Sequence, residues 1–271
     1  MTQNHSSQSS VRAVLAPIAE DMLAVDEILH REFAHSQSPT VTEIGSYIIG
    51  AGGKRMRPAL LMLMARALGY EGTDHRELGA TIEMLHTATL MHDDVVDEGK
   101  MRRGRATANA RWGNNIAVLV GDFMYTRSFE MMIRIGNLRV MQALAQAANT
   151  LSEGEVIQMK NAHDPAVDEA RYLLVIERKT SVLFAAAAKM ASALANASET
   201  EEKALVDYCM ALGNAFQIAD DILDYSGDSS ESGKLIGADF AEGKVTLPVI
   251  YAMQNTDEVN RAFIEQAIRD G

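Results

Sequence analysis

The sequence is short of the residues that cross-link chains and build sheets. There is one cysteine, Cys209, so no disulfide can form within the chain, and a reducing compartment is expected. Cys209 sits in an apolar stretch and reads as a small core residue. Proline is scarce at 5 residues and aromatics are only 6%, while methionine reaches 16. Few β-branched or aromatic runs, beside abundant Ala, Leu, Met and Glu, predict an all-α protein. No apolar run approaches membrane-spanning length, so no transmembrane segment is expected. The opening "MTQNHSSQSS" has no basic start and no apolar run, which excludes a secretory signal; residues 1–10 read as a disordered polar tail. A soluble, cytoplasmic protein is the expectation. Bases are outnumbered, 25 against 37 acids for a net charge of -12, which argues against nucleic acid as a partner.

What is present is enough apolar material, 47% of 271 residues, for one large core. Helical spacing runs from Val11 to Phe33. Thr40 and Glu43 have capping-box spacing and predict a helix from there to Ala51. "GAGGKRMRP" breaks it, and Pro58 suits the first position of the next helix, which stops at Gly69. From Asp74 a helix runs through "LGATIEMLHTATLMHDDVVDE", apolar around most of its surface and therefore central. "GKMRRGR" reads as its exit loop. Further helices are expected over "NNIAVLVGDFMYTRSFEMMI", over "RVMQALAQAANTLSEGEVIQMKN" with Gly154 marking a close helix contact, and over "DEARYLLVIERKTSVLFAAAAKMASALA". Ser198 and Glu201 form a second capping box, opening a helix through "FQIADDILDYSGD". A glycine-rich loop follows, and Pro248 opens two short helices. No strand pair is visible. The expectation is one bundle of about ten helices over residues 11–271.

Two segments carry the chemistry. "DDVVD" (Asp93, Asp94, Asp97) and "DDILD" (Asp220, Asp221, Asp224) each put their first and last carboxylates one turn apart on one helix face. Like charges at that spacing repel, and a hard divalent cation offsets them. Mg2+ suits such a site: it takes oxygen ligands and is held by one or two carboxylates plus substrate phosphates. The plainer reading of a single DDxxD is a helix end with solvated acids; two copies, each ending an apolar helix, outweigh it. Bases flank both motifs. Lys54 and Arg57 lie on a glycine-rich turn before a helix, a setting that suits a phosphate group. Arg102 and Arg103 follow the first motif, Lys179 and Thr180 lie mid-helix, and Lys234 and Lys244 follow the second motif. Any one of these alone reads as a surface base. In "MHDDVVDEGKMRRGR" the densest acid run adjoins the densest base run. Self-neutralisation is the plainer reading, and two halves that each await a ligand is the sharper one.

"GGKRMRP", "LHTATLMHDDVVDEGKMRRGRAT", "GDFMYTRSFEMM", "EGEVIQ", "ERKTS", "FQIADDILDYSGD" and "GKLIGADFAEGKVTLPVI" together resemble, in order from Gly52 to Ile250, the trans-prenyltransferases that make all-trans polyprenyl diphosphates. The wording is most similar to bacterial octaprenyl-forming members. The resemblance implies the isoprenoid synthase fold: a single antiparallel helix bundle around a deep central cavity, as a homodimer. It implies that Lys54, Arg57, His86 and Arg103 bind isopentenyl diphosphate. It implies that Asp93, Asp97, Asp220 and Asp224 hold Mg2+, and that Arg102, Lys179, Thr180, Gln217, Lys234 and Lys244 bind the allylic diphosphate, such as farnesyl diphosphate. Asp93, Asp97, Lys179, Asp220 and Lys234 are the implied catalytic set. For His86 the plainer reading is a core histidine, although it lies two turns before Asp93 on the same face.

Chain length is implied by what precedes the first motif. Short-chain members close the cavity there with bulky aromatics; here Ala88 and Thr89 are small, so a long product is implied, of octaprenyl length and destined for quinone side chains. Leu85, or Phe129 and Met132, would form a deeper floor, and the product would pass to a membrane. The rivals are a terpene cyclase, a shorter-chain geranylgeranyl or farnesyl synthase, and a non-catalytic synthase subunit. A second DDxxD and a separate "GGKRMR" site argue against the first; two intact acid motifs argue against the last. The family pattern continues for several helices past "TLPVI", whereas this chain ends at Gly271, so the domain is expected to be short at its C-terminal end.

Overall fold

A computed structural model of the chain describes residues 13–226 and 236–270. The first helical stretch is interrupted early. Pro17 stands in a 3-10 turn at Ala16–Ile18, and the regular helix α1 spans Ala19–Ala34. Helix α2 spans Pro39–Ile49. Its cap is Ser38, whose hydroxyl accepts from the Val41 N–H, with Pro39 at the first position. The Thr40–Glu43 capping box is therefore corrected: Pro39 is set for the first helical turn, and the start moves two residues upstream. Helix α3 spans Met56–Ala67, which makes Pro58 its third residue rather than its first.

Helix α4, Asp74–Val96, is the axis of the bundle, and both its sides are covered. The short α5 (Ala108–Trp112) leads into α6 (Asn114–Ile135), which packs along one side. On that side Ala80, Met84, Ala88 and Met91 meet Ala117, Val120, Met124 and Met131. On the other side Leu78, Ile82 and Leu85 pack against α3, against α7 (Leu138–Asn161) and against the alanine-rich α9 (Val182–Ala195). Each fully buried leucine contributes about 1.5–3 kcal/mol, so two-sided burial holds α4 rigidly in the centre. Cys209 lies in this core with its Sγ 3.7 Å from the Met64 sulfur, and burial pushes its thiol up to about 11. The core-residue reading of Cys209 holds.

Two local structures depart from the sequence reading. The exit loop of α4 is a small hairpin, β1 (Met101–Arg102) against β2 (Arg105–Ala106). Arg103 and Gly104 both have positive φ, 51° and 72°, which is the two-residue turn that matches strand twist. The long helix expected from Asp168 is also interrupted. Helix α8 (Glu169–Ile176) passes into a π turn at Glu177–Ser181 before α9 begins. A π turn bulges one residue out of the helical ladder, and here it carries Lys179 and Thr180.

Two glycines seat that bulge. A Cβ on Gly154 of α7 would stand 2.9 Å from the Arg178 Cβ, so the close contact expected at Gly154 is present. A Cβ on Gly213 would stand 2.6 Å from the Ser181 Cα. Gly213 belongs to α10, Glu199–Ser226, which opens on the expected capping box. There the Glu201 carboxylate accepts from the Ser198 N–H at 2.9 Å, and the Ser198 hydroxyl accepts from the Glu201 N–H at 3.3 Å. After the segment outside the described residues come α11 (Ala238–Ala241), α12 (Leu247–Gln254, with Pro248 in its first turn) and α13 (Glu258–Asp270). A third apolar cluster, including Val167, Tyr172, Val245, Val249 and Ile268, fastens this last part to α8. Among the described residues no helix is long and apolar enough to cross a membrane.

Candidate active site

The C-terminal ends of α4 and α10 open on one cavity of about 210 Å³, lined from one side by Asp93 and Asp97 and from the other by Asp220 and Asp221. Asp97 lies just past the last residue of α4, yet its N–H still donates to the Asp93 carbonyl at 2.8 Å, so the one-turn spacing survives. Two lysines enter between the motifs. Lys179, on the π turn, stands 3.4 Å from the Asp93 carboxylate and donates to Glu155 and Gln158 of α7, both at 2.7 Å. Lys244 donates to Asp97 at 2.9 Å and also meets Glu242. Burial works against the Lys244 charge, but Asp97 and Glu242 outweigh it and raise its pKa. Burial also raises Glu155, with Lys179 opposing. Thr180 donates to the Gln217 side-chain oxygen at 2.9 Å, and both line the cavity.

The middle aspartate of each motif is used internally. Asp94 is 8% exposed and accepts from Arg102 Nε at 2.9 Å, with Arg102 Nη2 also at 2.9 Å. Burial raises the Asp94 pKa, with Arg102 opposing. Asp221 is 3% exposed and accepts from the Tyr172 hydroxyl at 2.6 Å and from Gln217 Nε2 at 2.7 Å. Burial pushes it up to about 6. Asp220 lies exposed at the cavity, while Asp224, a turn further on, accepts from the Asp239 N–H at 3.2 Å. The acid and base runs of "MHDDVVDEGKMRRGR" therefore do face one another at one pair, Asp94 and Arg102. That corrects the sharper reading in part, because the self-neutralising account holds for this pair while Asp93 and Asp97 turn to the cavity.

A second, smaller hollow adjoins the first and shares Leu90, Asp94 and Arg102 with it. Its walls include Gly52, Arg55, Arg103 and Arg105. Arg103 donates from the hairpin to the Gly52 carbonyl, tying the glycine-rich turn to β1 and β2. Lys54 is exposed on that turn, its Nζ 5.0 Å from the centre of the Phe216 ring. The Arg57 guanidinium lies 4.9 Å from the centre of the Phe184 ring, and burial pulls its pKa down to about 10. His86 is held well below its ordinary pKa by burial and by Arg57, Arg103, Arg102 and Arg55, so its imidazole is neutral. Of the bases chosen from sequence, Arg57, Arg102 and Arg103 thus act on His86, Lys179 and Lys244 stand against Asp93 and Asp97 in the cavity, and Lys54 is set apart over the Phe216 ring. Lys234 lies outside the described residues.

Ala88 is fully buried between α4 and α6, and Thr89 is half-buried, its hydroxyl donating to the His86 carbonyl at 2.8 Å. Neither lines the cavity, whereas Leu90 does. Leu85 and Met132 meet in one apolar cluster with Phe129 packed against it. Sequence reasoning missed Glu155, Gln158 and Tyr172 as partners of the site. Glu155 and Gln158 are three apart on one helix face, which is a usable signal; nothing local in sequence marks Tyr172.

No three His, Cys, Asp or Glu side chains among the described residues group closely enough to hold a metal by themselves. The donors are carboxylates from each side of a cavity, with two ammonium groups between them. That set fits a hard cation that keeps several waters and takes its remaining oxygens from a bound phosphate.

The family model described as "Polyprenyl synthetase" matches residues 38–271. The chain is 47% identical over 253 residues to octaprenyl diphosphate synthase of Escherichia coli K12, covering 93% of this chain and 78% of that protein. The crystal structure of a decaprenyl diphosphate synthase from Rhodobacter capsulatus matches with a TM-score of 0.90 at 47% identity, covering 96% of this chain and 80% of that one. A polyprenyl synthase from Caulobacter crescentus CB15, complexed with calcium and isoprenyl diphosphate, matches with a TM-score of 0.86 at 36% identity, covering 94% of this chain and 83% of that one.

Proposed function

The chain belongs to the polyprenyl synthetase family, and from that premise we propose that it joins isopentenyl diphosphate to an allylic diphosphate such as farnesyl diphosphate and repeats the step to octaprenyl length. It is a prenyltransferase with the all-α isoprenoid synthase fold. The observation that carries the reading is the opening of both aspartate motifs on one cavity, with a basic hollow sharing its wall. Two anionic substrates need two such places side by side.

Asp93, Asp97 and Asp220, with Asp224, would hold Mg2+, a reading supported by the relative complexed with calcium and isoprenyl diphosphate. When bound, the metal neutralises charge that develops on the departing allylic diphosphate. Lys179 and Lys244, now paired with Asp93 and Asp97, bind that diphosphate together with Arg102, Thr180, Gln217 and Lys234. The allylic C–O bond breaks heterolytically, and these cations stabilise the charge on its oxygen. The apolar wall of Leu90, Val167, Val175 and Ile176 shields the allylic cation from water. Lys54, Arg57 and Arg103 orient isopentenyl diphosphate, and neutral His86 donates one hydrogen bond to it without adding charge. The isopentenyl double bond attacks the cation, and the proton released from the new carbon skeleton passes to the freed diphosphate. The product is again allylic, so the cycle repeats.

Relatives named for octaprenyl and decaprenyl products support a long chain. Ala88 and Thr89 line no part of the cavity, but being small they set no bulky ring ahead of Asp93, and Leu85, Phe129 and Met132 would form a deeper floor. Quinone side chains are the destination of such a product, delivered from a cytoplasmic enzyme to a membrane. Exposed Val118, Leu119 and Ile133 on α6 support a homodimer. The test is incubation with labelled isopentenyl diphosphate, farnesyl diphosphate and Mg2+, with products separated by length. Octaprenyl diphosphate is expected; a product arrested at twenty carbons would point to the short-chain reading.

A further inference from the structure

The turn that carries Lys54 and Arg57 has a strained centre. Arg55, between them, has φ 47° and ψ 36°, a left-handed conformation that disfavours any side chain. It is also the cap of α3 and makes no side-chain capping bond, so the turn is not held in the ordinary way. The hold comes from its guanidinium. Nη1 donates to Glu83 Oε1 at 2.8 Å and Nε to Asp26 Oδ1 at 3.2 Å. The two acceptors are unlike. The Asp26 side chain is 49% exposed, whereas the Glu83 side chain is 4% exposed and stands on α4 three residues before His86.

Glu83 also faces a charge problem that no surface residue shares. Arg55, Arg57, Arg102 and Arg103 all act on His86, so four guanidiniums crowd one place. Burial depresses both Arg57 and Arg103, and Glu83 is the carboxylate that opposes the shift at each. Buried like charges do not assemble without a compensating charge. Yet the Glu83 carboxylate is already engaged by Arg55 and would repel a diphosphate, so it has no part in direct substrate contact.

We propose that Glu83 is a positioning residue for the isopentenyl diphosphate site: through Arg55 it fixes the turn that aims Lys54 and Arg57, and its buried charge lets the guanidiniums gather before the diphosphate arrives. The inference rests on the function proposed above, and two affinities measured on the full chain decide it separately. Isopentenyl diphosphate is titrated calorimetrically into wild type and Glu83→Gln, and farnesyl diphosphate is titrated with Mg2+ into the same proteins. Glu83→Gln weakens isopentenyl diphosphate by ~10-fold or more, the loss of one charged hydrogen bond, and leaves farnesyl diphosphate within about twofold. Glu83→Asp, which keeps the charge, recovers part of the lost affinity. Equal isopentenyl affinities in wild type and Glu83→Gln overturn the proposal, and so does a parallel loss for both ligands, which marks a merely structural residue. If Glu83→Gln does not fold, Arg55→Gln must show the same selective loss, and its absence overturns the proposal equally. Failure of wild type to elongate a primer would count against the function, not against this separation of affinities.

Discussion

Replacing Gly213 by alanine tests how tightly the π turn is set into the site. The new Cβ would lie 2.6 Å from Ser181 Cα, 2.7 Å from its Oγ and 2.8 Å from its Cβ. Carbon atoms in contact prefer about 3.5–4.0 Å, so α10 and the π turn must part by about 1 Å. None of the obstructing atoms is the far end of a flexible chain. Overpacking of this kind costs about 1–3 kcal/mol, and the better helix propensity of alanine returns up to ~1 kcal/mol. A net loss of about 1 kcal/mol lowers the melting temperature by on the order of 2–4 °C for a chain of this size. The effect on chemistry is larger. Thr180 meets Gln217 across this contact at 2.9 Å, and Lys179 precedes it on the same turn. A displacement near 1 Å in a positioning element costs on the order of 100-fold in rate. Thermal denaturation followed by circular dichroism, paired with steady-state elongation kinetics, reads both effects. A raised melting temperature with unchanged kcat would refute the reasoning, because it would show that the helices separate freely.

Lys179→Met is expected to lower kcat by roughly 10²–10³ with little change in melting temperature, read by initial rates under saturating substrates. Thr89→Tyr is expected to shorten the product, measured by mass spectrometry of the prenyl alcohols; an unchanged length distribution removes this position from the elongation path. Ala88→Tyr must force its ring between α4 and α6 and costs about 1–3 kcal/mol, visible in denaturant titration. Asp21 is buried against Arg66, Arg76 and His75; burial raises its pKa, but these partners outweigh it and hold the carboxyl below 3.8. A folded pKa below the unfolded one adds stability that is present above 3.8 and lost as pH falls through the folded value. Asp21→Ala leaves the partly exposed Arg66 and Arg76 without their buried acceptor, costs about 1–3 kcal/mol at pH 7, and flattens the acid limb of the stability profile.

How much of this was legible in the chain depended on period and rotation. The outer aspartates of each motif were readable because a four-residue step returns a helix to the same face. The middle ones were not, because one residue turns the helix by about 100° and the partner met there belongs to a distant segment. Asp94 meets Arg102 through the hairpin, and Asp221 meets Tyr172 from α8. The capping box at Ser198 and Glu201 is entirely local and so legible in the sequence, while the one at Thr40 yields to Pro39, which sets the first turn earlier. The hairpin escaped because two-residue strands have no alternation to read; only Gly104 marks its turn. The π turn escaped because its cause is tertiary: Gly154 and Gly213 make room for it from two other helices. A close contact at Gly154 is legible in the sequence, but its partner on the π turn, Arg178, is not.

The central claim is that both aspartate motifs serve one allylic diphosphate across one cavity. It is tested most directly by the rate of diphosphate release from farnesyl and isopentenyl diphosphates at saturating Mg2+, in wild type, Asp93→Ala and Asp220→Ala. The account predicts that each single variant, though folded, loses about 100-fold or more, because the charge on the leaving group is stabilised from both sides at once. Full activity in either variant would contradict it.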